Sequence, residues 1–444
     1  MLDKQGAITL SAAAGVGIGY LIGRRQQATA NASVPAESLD EVERLIRPNI
    51  LALTPYRCAR DDYDQGILLD ANENSLGPPF EAHHELRQEQ LERYPCPYQK
   101  DLKQLLANFR NEVSPDYKIG TENIFLGVGS DEAIDLIIRV ACTPRVDSIL
   151  ITPPTYGMYQ VCANIHDINI ISVPLEIEAP ESNPKGLKAG HALPGFHINP
   201  SKILAAATPE TKIIFLCSPG NPTANAVRVK DILTILESPT YKGLVVVDEA
   251  YVDFSETASL CTLVKKYNRL VVLQTLSKAF GLAGIRLGSA FGNPKLIQIL
   301  NNVKAPYNIN KLTAKVAFEA LGRTKELRSK IELIKQEKRR VVSELQKLPF
   351  IRAIYASDSN FVLFEVSLIH VRFVLERFLD FLDAVTQKLP NALKVYREMA
   401  DRGVVIRYRG NQLLLNDCLR ATIGSREEND RMLELLTQVS KELQ

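Results

Sequence analysis

A lysine set among hydroxyl and small residues at the end of an apolar run is the first candidate for chemistry. In the stretch from Leu270 to Arg286, hydrophobic residues lead into Thr275-Leu276-Ser277-Lys278, then Gly281, Gly284 and Arg286. A lysine so placed can attack a carbonyl carbon and form a Schiff base. The planar guanidinium of Arg286 suits a phosphate held beside it. A second run, from Gly243 to Val247, delivers Asp248 at its end, followed by Glu249, Ala250 and Tyr251. Open α/β sheets bind ligands at the carboxyl ends of their strands. A third run leads into Ser218-Pro219-Gly220-Asn221-Pro222-Thr223, where the prolines restrain the loop and so aim the Asn221 amide. Gly127-Val128-Gly129-Ser130 lacks both the third glycine of a dinucleotide loop and the lysine of a P-loop. Each piece alone has a plain reading: a helix cap at Asp248, a solvated Lys278, a turn at Asn221-Pro222. Their order and spacing together are far more specific.

These residues need a sheet to hold them. Apolar or β-branched runs at 124–128, 148–152, 170–173, 212–216, 243–247 and 270–274 alternate with helical stretches, including 102–110 and 132–142. That alternation predicts an α/β fold: a mostly parallel sheet with helices on both faces. Residues 176–200, rich in Pro and Gly, read as a surface insertion. A short helix is expected at 40–45, stopped by Pro48, and a short strand at 66–71. Past residue 310 the rhythm changes to helices at 312–348, 373–399 and 427–443 and strands at 360–365, 404–407 and 419–423. This describes a smaller α+β domain. The expected division is a 1–38 extension, a 39–70 arm packing with the small domain, a 71–310 large domain and a 311–444 small domain. No internal repeat is visible.

Composition narrows the function classes. With 444 residues, 45% hydrophobic and 23% charged, the chain can bury a large core without disulfides or metals. A formal charge of +2 is a poor basis for nucleic-acid binding. The 7 cysteines form no CxxC and the 6 histidines no HExxH, so no metal site is expected, and a reducing, cytoplasmic setting is. Residues 7–23 are apolar or small, end at Arg24-Arg25 and place Ser11, Gly15, Gly19 and Gly23 four apart. The run is shorter than the ~20 residues of a usual membrane span. Three readings fit it: a short anchor with the body on the cytoplasmic side, a removable targeting segment, or an incidental extension.

Taken together, the motifs resemble those of the fold-type I pyridoxal-phosphate aminotransferases, and within them the histidinol-phosphate aminotransferase family. Further matching segments are Leu53-Thr54-Pro55-Tyr56-Arg57, Asp70-Ala71-Asn72-Glu73-Asn74, Arg93-Tyr94-Pro95 and Pro153-Pro154-Thr155-Tyr156-Gly157-Met158-Tyr159. The likeness runs from about Ile46 to the C-terminus. It implies pyridoxal 5′-phosphate as cofactor, carried by Lys278, with Asp248 on the pyridine nitrogen. It implies that Asn221 and Tyr251 bond the phenolic oxygen and that Tyr156 stacks on the ring. Backbone N–H groups of Ser130 and Asp131 would hold the phosphate with Thr275, Ser277 and Arg286. Tyr94 would reach the cofactor of a partner subunit in a homodimer. Substrate contacts implied are Tyr56, Asn74, Arg407 and Arg420, with Arg420 serving the glutamate carboxylate or the substrate phosphate. Arg409, two residues from Arg407 on the same strand face, is the alternative to it.

The implied reaction exchanges an amino group between histidinol phosphate and 2-oxoglutarate, giving imidazole-acetol phosphate and glutamate. An aromatic amino-acid aminotransferase of the same fold type is the alternative. A binding module that has lost its chemistry is disfavoured by the intact Lys278, Asp248 and Arg286. Two departures from the family pattern stand out: Ala224 replaces the glycine that usually follows Asn-Pro-Thr, and Leu419-Arg420-Ala421-Thr422-Ile423-Gly424 differs from the usual Leu-Arg-Ile-Thr-Val-Gly.

Overall fold

The computed structural model describes residues 39–54, 69–81, 84–112, 114, 116–178, 193–367 and 391–443. In chain order the first nine strands are β1 (Ile124–Val128), β2 (Ser148–Ile151), β3 (Asn169–Ser172), β4 (Glu176–Glu178), β5 (Gly195–His197), β6 (Thr211–Cys217), β7 (Leu244–Asp248), β8 (Leu270–Thr275) and β9 (Leu287–Phe291). Seven of them form one sheet in the order β1-β9-β8-β7-β6-β2-β3. β3, β2, β6, β7 and β8 run parallel, while β9 lies antiparallel between β8 and β1.

The central strands are apolar throughout because both faces are covered. Ile214, Leu216, Val245, Val247 and Val272 enter one core; Ile213, Phe215, Val246, Val271 and Leu273 enter the other. Helix α1 (Lys100–Asn111) covers the first face with Leu102, Leu106 and Phe109. Helices α2 (Gly129–Ala141) and α3 (Met158–Ile165) cover the second, α2 contributing Ile134, Ile137 and Ile138 and α3 contributing Tyr159 and Cys162.

The smaller sheet has β10 (Ile351–Ile354), β11 (Phe361–Val366), β12 (Arg407–Tyr408) and β13 (Cys418–Thr422), in the order β10-β11-β13-β12 and antiparallel throughout. Helices α4 (Thr324–Leu345), α5 (Asn391–Asp401) and α6 (Arg426–Glu442) enclose a core with one of its faces. The α6 start is a capping box: Glu428 N–H donates to Ser425 Oγ and Ser425 N–H to Glu428 Oε2, at 3.2 and 2.7 Å. α4 spans both bodies, since Leu327 and Ile331 join the main core while Val341 and Leu345 join the small one. The two cores therefore meet inside a helix rather than at residue 310.

Several expectations need correction. Pro48 does not stop a helix but begins one, Pro48–Leu51, after a 3-10 turn at Glu43–Leu45; proline's fixed φ suits a first helical turn. Residues 39–54 do not pack on the small domain: Val42 and Ile46 sit in the core under α2, and Arg47 N–H donates to Val140 O at 2.9 Å. The ends of the 176–200 stretch pair as β4 and β5, burying Phe196, while 179–192 lie outside the described residues. Residues 69–71 are not a strand, and of the 373–399 helix only the part from Asn391 lies among the described residues. The 7–23 run also lies outside them; among the described residues no helix is long and apolar enough to cross a membrane.

Candidate active site

The parallel strands β6, β7 and β8 end side by side, and their ends open on a cavity of about 170 Å³. Ser130, Asp131, Tyr156, Asn221, Asp248, Tyr251, Thr275, Ser277, Lys278 and Arg286 all line it. Ten residues drawn from five separate motifs thus face one space.

Polarity is graded across the cavity. At one end Asp248 is 3% exposed. Tyr159 OH donates to its Oδ2 at 2.8 Å and Ala250 N–H to its Oδ1 at 3.1 Å. Burial raises the Asp248 carboxyl to about 6 against these two donors, so it is an acid awaiting a cationic partner. The neighbouring Glu249 is not a helix cap. It is buried on the other side of the strand, accepting from Leu260 N–H at 2.7 Å and Gln274 Nε2 at 2.9 Å.

At the other end lies the N-terminus of α2, where free N–H groups and the helix dipole favour an anion. Gly129 has φ +73, and a Cβ there would meet the Arg286 guanidinium at 2.5 Å. A Cβ on Gly288 would lie 2.2 Å from the Ser130 nitrogen. Two glycines thus let a guanidinium and a strand close on the helix start. Arg286 Nη1 lies 3.4 Å from Ser277 Oγ, and Nη2 lies 3.5 Å from Asp131 Oδ2. Thr275 Oγ1 donates to Ser277 Oγ at 2.9 Å and accepts from Ser277 N–H at 3.1 Å.

Between the two ends stands Lys278. Burial lowers its amine, and Arg420 and Arg286 lower it further. Its Nζ lies 5.6 Å from the Tyr251 ring centroid. Tyr156 OH donates to Asp131 Oδ1 at 3.0 Å, which fixes that ring at the cavity wall. Asn221 Oδ1 accepts from Arg420 Nη1, leaving the Asn221 amide N–H groups for the cavity. This set suits a flat ring with a phosphate at one end and a basic nitrogen at the other.

The second group of predicted residues is dispersed. Arg420 on β13 is opposite Arg407 on β12 in the ladder, and both line a wider opening of about 790 Å³. Arg420 spans the two spaces through Asn221. Asn74 is exposed in a turn, its Oδ1 accepting from Leu76 N–H at 3.1 Å, and is not brought to the cavity. Tyr94 is 51% exposed, stacks on Tyr307 at 4.7 Å, and is not among the residues lining this chain's own cavity. Tyr56 lies outside the described residues.

Sequence reasoning missed Tyr159. It stacks on Phe215 at 4.7 Å and carries the bond to Asp248. The available signal was its place in the Thr155-Tyr156-Gly157-Met158-Tyr159 segment, three residues after Tyr156.

Comparison with known proteins agrees with this geometry. Residues 64–436 match the model for aminotransferase class I and II. A Candida maltosa histidinol-phosphate aminotransferase is 43% identical over 406 residues, covering 89% of this chain and 97% of its own. The Saccharomyces cerevisiae protein of that name is 40% identical over 407 residues, covering 89% and 96%. Among solved structures, a Sinorhizobium meliloti histidinol-phosphate aminotransferase in complex with pyridoxal-5′-phosphate shares the fold. Its TM-score is 0.64 at 21% identity, covering 84% of this chain and 90% of that one. On the family match and the relatives' identity, this chain belongs to the class I and II aminotransferases.

Proposed function

We propose that the chain is a pyridoxal-phosphate-dependent transaminase that exchanges an amino group between L-histidinol phosphate and 2-oxoglutarate, giving imidazole-acetol phosphate and L-glutamate. The observation that carries the substrate reading is the Arg407–Arg420 cross-strand pair. Two like charges directly opposite on adjacent strands oppose pairing. Neither has an ion-pair partner among the described residues, so the pair suits an incoming anion. The names of the relatives at 40–43% identity support the same substrate.

When bound, the pyridoxal ring supplies an electron sink for the carbanion formed at the substrate. The protein does the rest. Asp248, whose buried carboxyl is raised to about 6, would hold the ring at its pyridine nitrogen and keep that nitrogen protonated. Asn221 and Tyr251, which line the cavity, would bond the phenolic oxygen, and Tyr156 would lie against the ring. The Ser130 and Asp131 N–H groups, Thr275, Ser277 and Arg286 would hold the phosphate. Lys278 Nζ, its charge disfavoured by burial, takes the proton from the substrate carbon that bears the amine. Arg420 holds the distal anion in both half-reactions, phosphate in one and carboxylate in the other, and Arg407 assists with the phosphate.

The reading includes a homodimer in which Tyr94 of each subunit serves the cavity of the other. Its exposure and its absence from the lining of its own chain's cavity support this. Cytoplasmic placement is supported by the six cysteines among the described residues, each of them a free thiol.

The test is a purified-protein substrate panel with borohydride labelling. The protein should be yellow, lose its colour on reduction and carry the tag on Lys278. Histidinol phosphate should outperform phenylalanine and tyrosine in kcat/KM. A preference for phenylalanine would replace the phosphate-substrate reading with the aromatic one.

A further inference from the structure

We propose that Arg409 is a third cation of the anion subsite, alongside Arg407 and Arg420, and makes the cleft select a dianionic phosphate monoester over a carboxylate. The inference rests on the transaminase reading above and names what sets its substrate preference.

Arg407 is opposite Arg420 and Tyr408 opposite Leu419. Arg409 N–H then donates to Cys418 O at 2.9 Å, carrying the pairing one residue further. Side chains alternate across a strand, so Arg407 and Arg409 share a face with Cys418 and Arg420. The packing identifies that face. Leu419, Ala421, Ile406 and Tyr408 pack into the small core, whereas Cys418 joins the main core with Phe361 and Leu363. All three arginines therefore belong to the face turned toward the large sheet and its cavity.

Their polar atoms are incompletely used. Arg420 gives Nη1 to Asn221, but its Nε is buried with no hydrogen-bond partner. Arg409 Nε is likewise buried and without a partner. No carboxylate is ion-paired to any of the three among the described residues. Burial, then Arg420 and Arg407, push the Arg409 guanidinium down to about 10, which leaves it charged at neutral pH. Gathering three guanidinium groups with buried donors unpaired disfavours the empty protein and favours one holding an anion. A carboxylate offers two oxygens, which the Arg420 fork can satisfy alone. A phosphate monoester offers three oxygens and a second charge, and the third fork is useful only to it.

The experiment uses the holoenzyme with Arg409→Gln and Arg409→Lys. The ratio of kcat/KM for histidinol phosphate to that for glutamate should fall about ten- to a hundredfold in Arg409→Gln, chiefly through KM. Arg409→Lys should recover part of it. Competitive inhibition by inorganic phosphate should weaken in parallel, with the resting visible spectrum unchanged. An equal loss on both substrates, or an unchanged phosphate inhibition constant, would overturn the assignment. Failure of the underlying reading shows separately: the unmodified enzyme would then prefer phenylalanine to histidinol phosphate.

Discussion

Replacing Tyr159 by phenylalanine removes one oxygen from the wall behind Asp248. The ring can keep its stack on Phe215 and its edge contact with Tyr156 at 5.7 Å, so packing is preserved. What is lost is the bond to Asp248 Oδ2 at 2.8 Å. A hydrogen bond to a charged group contributes ~1.5–3 kcal/mol. At ~1.4 kcal/mol per pKa unit, its loss should move the Asp248 carboxyl from about 6 to roughly 7–8 in the cofactor-free protein. At pH 7 the ionised fraction then drops from about nine-tenths to between about a half and a tenth. Only the ionised form can hold a proton on the pyridine nitrogen. Titration of the cofactor-free protein with pyridoxal phosphate should therefore show weaker binding at pH 7, by about two- to tenfold, and recovery near pH 9. The acid limb of kcat/KM against pH should shift upward by the same amount. A profile superimposable on that of the parent would refute the role of Tyr159. So would a loss that persists at pH 9, because it would then arise from packing.

Other outcomes follow from the same geometry. Asp248→Asn should abolish turnover yet stabilise the cofactor-free protein at pH 8. The folded-state value of about 6 lies above the ordinary 3.8, so the stability of the protonated acid is full below 3.8 and lost as pH rises through 6. That loss is roughly 3 kcal/mol, and urea unfolding at pH 4 and pH 8 should show it in the parent and not in the variant. Heterodimers of Tyr94→Phe and Lys278→Ala subunits should regain activity, since one of their two sites carries neither lesion; sedimentation showing only an active monomer would contradict this. Arg420→Gln should lower kcat/KM about ten- to a hundredfold for both histidinol phosphate and glutamate, whereas Arg407→Gln should affect histidinol phosphate more. Equal responses to Arg407→Gln in the two half-reactions would reassign that side chain.

The cofactor cavity was legible in the sequence because its constraints are local. Each motif places its functional side chain within a few residues of a strand end, and buried parallel strands announce themselves as apolar runs. β9 escaped notice for the opposite reason. Leu287-Gly288-Ser289-Ala290-Phe291 has no β-branched residue, and its small members are set by crowding: Gly288 passes within 2.2 Å, at its missing Cβ, of the Ser130 nitrogen. Ala224 shows a similar hidden constraint. It sits at φ +70, the left-handed conformation that glycine adopts freely, which is why the family keeps glycine there. It is held in place by Asp358 N–H and Ser359 Oγ, both donating to its carbonyl at 2.9 Å.

The arginine subsite was only half legible, and the reason is register. Arg407, Arg409 and Arg420 lie on two strands joined by a loop, and nothing in that loop's composition says which residue opposes which. A slip of one residue would send Arg420 into the small core, where Leu419 and Ala421 now pack. The apolar alternation of β13 and its neighbour β11 fixes the face. Only the β12 pairing then decides that Arg407, not Arg409, stands opposite Arg420. Chemistry written in consecutive residues can be read from a sequence, whereas chemistry assembled by strand pairing needs the sheet.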